Sequence, residues 1–168
     1  MLVQAAETRF QRGLEAFQDG RGLEALALFE ASIELERRLG AKSPQARYLS
    51  YYGLALARDA GQLREGAEFC RQAVGMEFFN ADLCLNYGRV LLLQDRRKEA
   101  YAAFVKGLSV QRNHQGILRE LGGMGWRKRP MIGFLSRSHP INATLGKLFR
   151  QSQRLVPEPQ AVPAHRRA

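Results

Sequence analysis

The chain has 168 residues, 45% hydrophobic and 25% charged, with six prolines. These are values of an ordinary globular domain, and they exclude collagen-like, mucin-like and wholly disordered chains. The length fits a single domain of roughly 100–200 residues and argues against a two-domain enzyme. The net charge of +10 is uneven. Residues 1–111 hold 15 Lys and Arg against 14 Asp and Glu, while residues 112–168 hold 11 against 2, so the basic character belongs to the last third. Arg supplies 21 of the 26 cations, a skew that genome base composition alone can produce. No apolar run approaches the roughly 20 residues of a membrane span. Charges spaced from Glu7 to Glu24 leave no apolar core for a secretory signal, so a cytoplasmic location is the expectation.

The first segment reads as a helical hairpin. Phe10, Leu14 and Phe17 form one apolar stripe at helical spacing, Gly20 and Gly22 mark a turn, and Leu26, Phe29, Ile33 and Leu35 form the next stripe. Gly40 is placed to end that second helix. Ser43 before Pro44 predicts the next helix start, with the hydroxyl as cap and the proline where no amide donor is needed. Gly61 punctuates the second hairpin, and Asn80 before Asp82 predicts the start of the third. Asn113 to Leu121 reads as a capping helix, with Ile117, Leu118 and Leu121 inward and Gln115, Arg119 and Glu120 outward. Gly122, Gly123 and Gly125 then stop it. No alternating strand with a hairpin turn occurs, so the predicted fold is all-α.

Beyond the glycines, the stretch WRKRPMIGFLSRSHP sets Arg127, Lys128, Arg129 and Arg137 around an apolar run. From Ile141 the spacing of Leu145, Leu148, Phe149 and Leu155 predicts a short amphipathic helix, with Lys147, Arg150 and Arg154 off the stripe. Residues 156–168, holding three of the six prolines, read as a disordered tail.

The hairpins repeat. Ala25, Gly66 and Ala100 align with Phe29, Cys70 and Phe104 and with Ser32, Ala73 and Gly107, each set spaced 41 and 34 residues apart. Gly13, Gly53 and Gly88 are spaced 40 and 35, which predicts a one-residue insertion near Asp59 to Gly61. The longer first interval predicts an extended helix between Leu23 and Leu39. A period near 34 built of paired helices is the mark of a solenoid. On these small and bulky positions, clearest in YYGLALARDAGQLREGAEFCRQAV and LNYGRVLLLQDRRKEAYAAFVKGL, residues 5–112 resemble the tetratricopeptide repeat family, its bacterial examples in particular. Cys84 stands where that family has an aromatic residue, and the family's proline after the second helix is missing. The resemblance implies three hairpins (about 5–40, 45–78 and 80–112); the residues that follow read as a cap over 113–123 and a basic extension over 124–155. The resemblance also implies a right-handed superhelix whose concave face, lined by first helices, holds a peptide or helix of another protein.

The chemistry in the sequence points the same way. His114, His139 and His165 have no ligand-like spacing, so no metal site or cofactor is expected, and Cys70 and Cys84 fall at inward helix positions. LGGMG lacks the Lys-Ser or Lys-Thr of a phosphate loop. No small-molecule substrate and no enzymatic activity are expected. The groove candidates are Phe10, Leu14, Phe17, Tyr51, Leu54, Leu85 and Leu92, with Arg58, Asn86 and Arg89 as a polar minority. This set suits an apolar peptide or amphipathic helix better than an acidic tail. For Phe10 and Leu54, groove lining and inter-repeat core stand open as two roles. The alternative is binding of nucleic acid or an anionic lipid surface through the basic extension. A further expectation is that the helix beginning at Ile141 folds back on the repeats and competes with a partner.

Overall fold

The computed structural model describes residues 2–124, all of whose regular structure is helical. Seven helices follow in order: α1 (Leu2–Gln18), α2 (Gly22–Arg38), α3 (Ala46–Asp59), α4 (Leu63–Met76), α5 (Ala81–Leu93), α6 (Arg97–Val110) and α7 (Gln115–Gly123). They pair as hairpins α1/α2, α3/α4 and α5/α6, and each hairpin packs on the next, with α7 against α5 and α6. The expected basic extension, its amphipathic helix and the tail lie outside the described residues.

Each hairpin turns tightly through one residue with positive φ: Gly20 (78°), Gly61 (70°) and, in the third, Asp95 (57°). The short polar side chain of aspartate tolerates the left-handed region that glycine enters freely. The seven extra residues between the first two units divide among three places. α2 is three residues longer than α4, its connector is three residues longer, and α3 is one residue longer than α5. The extended helix is present, whereas the one extra residue of the second unit lies in α3 and not in the turn, which has three residues as in the other two hairpins.

The second helix of each hairpin seats a side chain on a glycine of the first. A Cβ at Gly13 would meet the Phe29 ring at 2.7 Å, and one at Gly88 would overlap the Phe104 ring. In the middle hairpin the seated side chain is the smaller Cys70. There the helices close until a Cβ at Gly53 would lie 2.6 Å from the Gly66 carbonyl oxygen. Ala25, Phe29, Cys70, Ala100 and Phe104 are all fully buried, as the repeat register requires.

Two helix boundaries differ from expectation. α3 starts at Ala46, not after Ser43, because the Gln45 amide and side chain both donate to the buried Glu36 carboxylate at 2.7 Å, holding the chain off helix until residue 46. Ser43 instead donates to Met76 Sδ at 3.7 Å, and Pro44 is buried. α7 runs through Gly122 and Gly123, and Leu118 is exposed; only Ile117 and Leu121 of its apolar residues point inward. Asn80 caps α5 as expected, accepting from the Asp82 amide at 3.1 Å.

One substitution should act with opposite sign at two glycines. Gly53→Ala forces a methyl onto backbone that cannot swing aside and should destabilise by about 1–3 kcal/mol. Gly75→Ala, at a helical site with nothing within 4 Å, should stabilise by about 0.5–1 kcal/mol. Urea midpoints of the two variants check the pair.

Candidate functional site

The first helices of the hairpins form a continuous layer, joined by side chains that cross between them. Glu7 of α1 accepts from Arg47 and from the Tyr48 hydroxyl (2.7 Å), both of α3. Buried Asn86 of α5 donates to Ser50 Oγ of α3 at 3.1 Å and also hydrogen-bonds Tyr51. Arg89 of α5 pairs with Glu120 of α7 at 2.7 Å. His114, just before α7, lies 2.9 Å from Asp82 of α5. Turn residues add a second line of contacts: Gln94 donates to the Leu63 carbonyl at 2.6 Å, and Asp59 packs on Gly22 at the start of α2.

The nominated groove residues divide by burial. Phe10, Leu54 and Leu85 are 2%, 3% and 7% exposed. Phe10 packs against Phe29, Tyr48 and Tyr51, so these three residues shape the layer from beneath and do not line an open surface. Leu14, Phe17, Tyr51, Arg89 and Leu92 are half-buried, and Arg58 is exposed. Phe17 and Tyr51 meet edge to face at 6.2 Å, and the Arg58 guanidinium lies 3.5 Å above the Phe17 ring. Arg127, Lys128, Arg129, Arg137, Lys147, Arg150 and Arg154 lie outside the described residues.

The electrostatics of this layer are internal. Arg47 is committed to Glu7, Arg58 to Asp59 at 2.9 Å, and Arg89 to Glu120. Burial pushes the Glu7 carboxyl up, but hydrogen bonds from Gln11, Tyr48 and Arg47 outweigh it and hold the group below its ordinary value. Burial and the neighbouring Glu7 raise the Tyr48 hydroxyl well above its ordinary range. Asp59 Oδ2 is buried without a hydrogen-bond partner among the described residues, beside the positive end of α2.

Sequence reading overlooked two features. Phe78 and Phe79, 65% and 63% exposed, stand as an edge-to-face pair in the connector between α4 and α5. Two adjacent aromatics directly before a helix cap were the available signal. His114 is not isolated: besides Asp82, it accepts from the Ile117 amide. Among the described residues no group of three or more His, Cys, Asp or Glu could hold a metal ion, and no helix is long and apolar enough to cross a membrane. Cys70 and Cys84 are free and buried in different clusters, and Cys70 donates to the Ser50 carbonyl at 3.3 Å.

Two tests follow from this chemistry. Burial pushes the Cys70 thiol up to about 12, so it should resist an aromatic disulfide reagent at pH 8 until urea unfolds the chain. Because Glu7 is held low, its contribution is complete above the ordinary carboxylate range and is lost as pH falls through its depressed value. Glu7→Gln should therefore flatten the acid limb of stability by less than about 1 kcal/mol, measured by urea unfolding between about pH 3 and 6.

No protein-family model and no curated protein matches the sequence. Solved structures do match in shape. The OM64 TPR domain of Arabidopsis superimposes with a TM-score of 0.61 over 74% of this chain and 98% of its own, at 19% identity. The first TPR of Spaghetti (RPAP3), bound to the HSP90 peptide SRMEEVD, gives 0.60 over 73% and 94%, at 16% identity. PcrH, in complex with the chaperone binding region of PopB, gives 0.56 over 72% and 94%, at 18% identity. Three helical hairpins, glycines seating side chains from the partner helix, and this agreement in shape show that the described residues have the helical-repeat fold of tetratricopeptide-repeat domains.

Proposed function

We propose that the chain is a non-enzymatic interaction scaffold that holds an apolar peptide or amphipathic helix on the concave face built from α1, α3 and α5. Two neighbours of the same fold were solved with peptide segments of other proteins, which supports a protein ligand. The observation that carries the choice of ligand is the internal pairing of Arg47, Arg58 and Arg89. An acidic tail would have to displace carboxylates already in place, whereas Leu14, Phe17, Tyr51 and Leu92 offer half-buried apolar surface to a ligand with an apolar stripe. Arg58 over Phe17 gives such a ligand a rigid edge. The second reading, an anionic partner on the basic extension, rests on the charge excess of residues 112–168.

Titration calorimetry with the full chain separates these readings. A leucine-striped amphipathic peptide should bind with little salt dependence, and Phe17→Ser or Leu92→Ala should weaken it about tenfold, the effect of losing roughly 1.4 kcal/mol of apolar burial. The peptide SRMEEVD should not bind. Tight, salt-sensitive binding of SRMEEVD through Arg58 or Arg89 would overturn the proposal. Steeply salt-dependent binding of an oligonucleotide, untouched by the two substitutions and unaccompanied by peptide binding, would favour the second reading.

A further inference from the structure

α7 begins at a histidine that engages both ring nitrogens. The Ile117 amide donates to His114 Nδ1 at 3.3 Å, and Nε2 lies 2.9 Å from Asp82 Oδ1 on α5. A ring nitrogen that accepts carries no proton, so the two contacts together select the neutral tautomer with its hydrogen on Nε2. The ring lies over Gly116, where a Cβ would come within 3.2 Å of the ring and 2.6 Å of Leu85. Its side chain is 11% exposed. Immediately beyond, Ile117 and Leu121 bury into the cluster of Leu85, Leu91 and Phe104, so the cap sets how α7 covers the last hairpin.

We propose that His114 is a pH-sensitive latch on α7: the neutral ring holds the helix on the last hairpin, and protonation of Nδ1 frees its first turn. A proton taken from solvent onto the Nδ1 lone pair sets a ring N–H against the Ile117 N–H, donor facing donor, and puts positive charge at the positive end of α7. The charged groups around the ring do not replace that lost acceptor. Asp82 of α5 contacts the other ring nitrogen, Nε2, and Arg112 in the connector and Lys106 of α6 are cations that offer no acceptor. The first turn of α7 carries no acidic residue, and of the charges that follow, Arg119 and Glu120, the latter is committed to Arg89. α7 has nine residues, three of them glycine, so it has little helical stability of its own and depends on the cap and on packing.

The test uses the full chain, nitrogen-15 labelled. Long-range proton–nitrogen spectra, with the His114 signals assigned by their absence in His114→Asn, should show an unprotonated Nδ1 at about pH 7.5. On acidification to about pH 5.5, exchange protection of the Ile117–Leu121 amides should fall about five- to tenfold relative to α3, the loss of one helix cap. Two variants bracket the states. His114→Asn caps without titrating and should keep protection at both pH values; His114→Ala should lack it at both. An unprotonated Nε2, protection that does not change as the ring titrates, the same acid loss in His114→Asn, or full protection in His114→Ala at about pH 7.5 would each overturn the latch.

Discussion

Three glycines on the first helices, each filled by a side chain from the second, set the geometry on which the rest of the stack depends. Phe29 on Gly13 and Phe104 on Gly88 hold their helices one aromatic ring apart, while Cys70 at Gly53 lets the middle pair approach until backbone meets backbone. Helix separation within a hairpin fixes where the next first helix can lie. A hairpin cannot bury its apolar face alone, so that placement decides whether the stack closes its core. The buried Phe10, Tyr48 and Phe29 at the first junction, and Ile117 against Gly107 at the last, sit where those separations put them.

The charge pattern follows from the same layering. With first helices side by side, Glu7 meets Arg47, Asp82 meets His114 and Arg89 meets Glu120, each pair bridging one repeat to the next. Partly exposed pairs of this kind contribute little stability individually. In the proposed function, a surface whose cations are already answered would discriminate against acidic ligands and leave its apolar side chains as the attractive element.

Much of this was legible in the sequence because it depends on residue size at fixed intervals. The sets headed by Gly13, Ala25 and Phe29 gave the repeat register, the long α2 and the one extra residue of the second unit, since a seated side chain and its glycine must keep their spacing. The α3 start was not legible, because Ser43 and Pro44 carry a valid local signal that a buried Glu36, reaching Gln45 from the preceding helix, overrides. Leu118 was misplaced for a related reason: among the described residues, the short α7 buries only the narrow stripe that faces α5 and α6. The groove set was readable as a face but not as a surface. Phe10, Leu54 and Leu85 share the helical phase of Leu14 and Phe17, and only the closeness of adjacent first helices decides which are covered.

The contact between Gly53 and Gly66 also bears on how the chain assembles. The two residues stand thirteen positions apart, so their helices meet across a short loop, with little closure entropy to overcome. Among the described residues, the hairpin they join packs against a hairpin on each side, α2 on α3 and α5 on both α3 and α4. In a linear array, interface energy accumulates at such interior units. In chain order this middle hairpin is complete at residue 76, with α2 already available to pack on α3 and α5 still to follow.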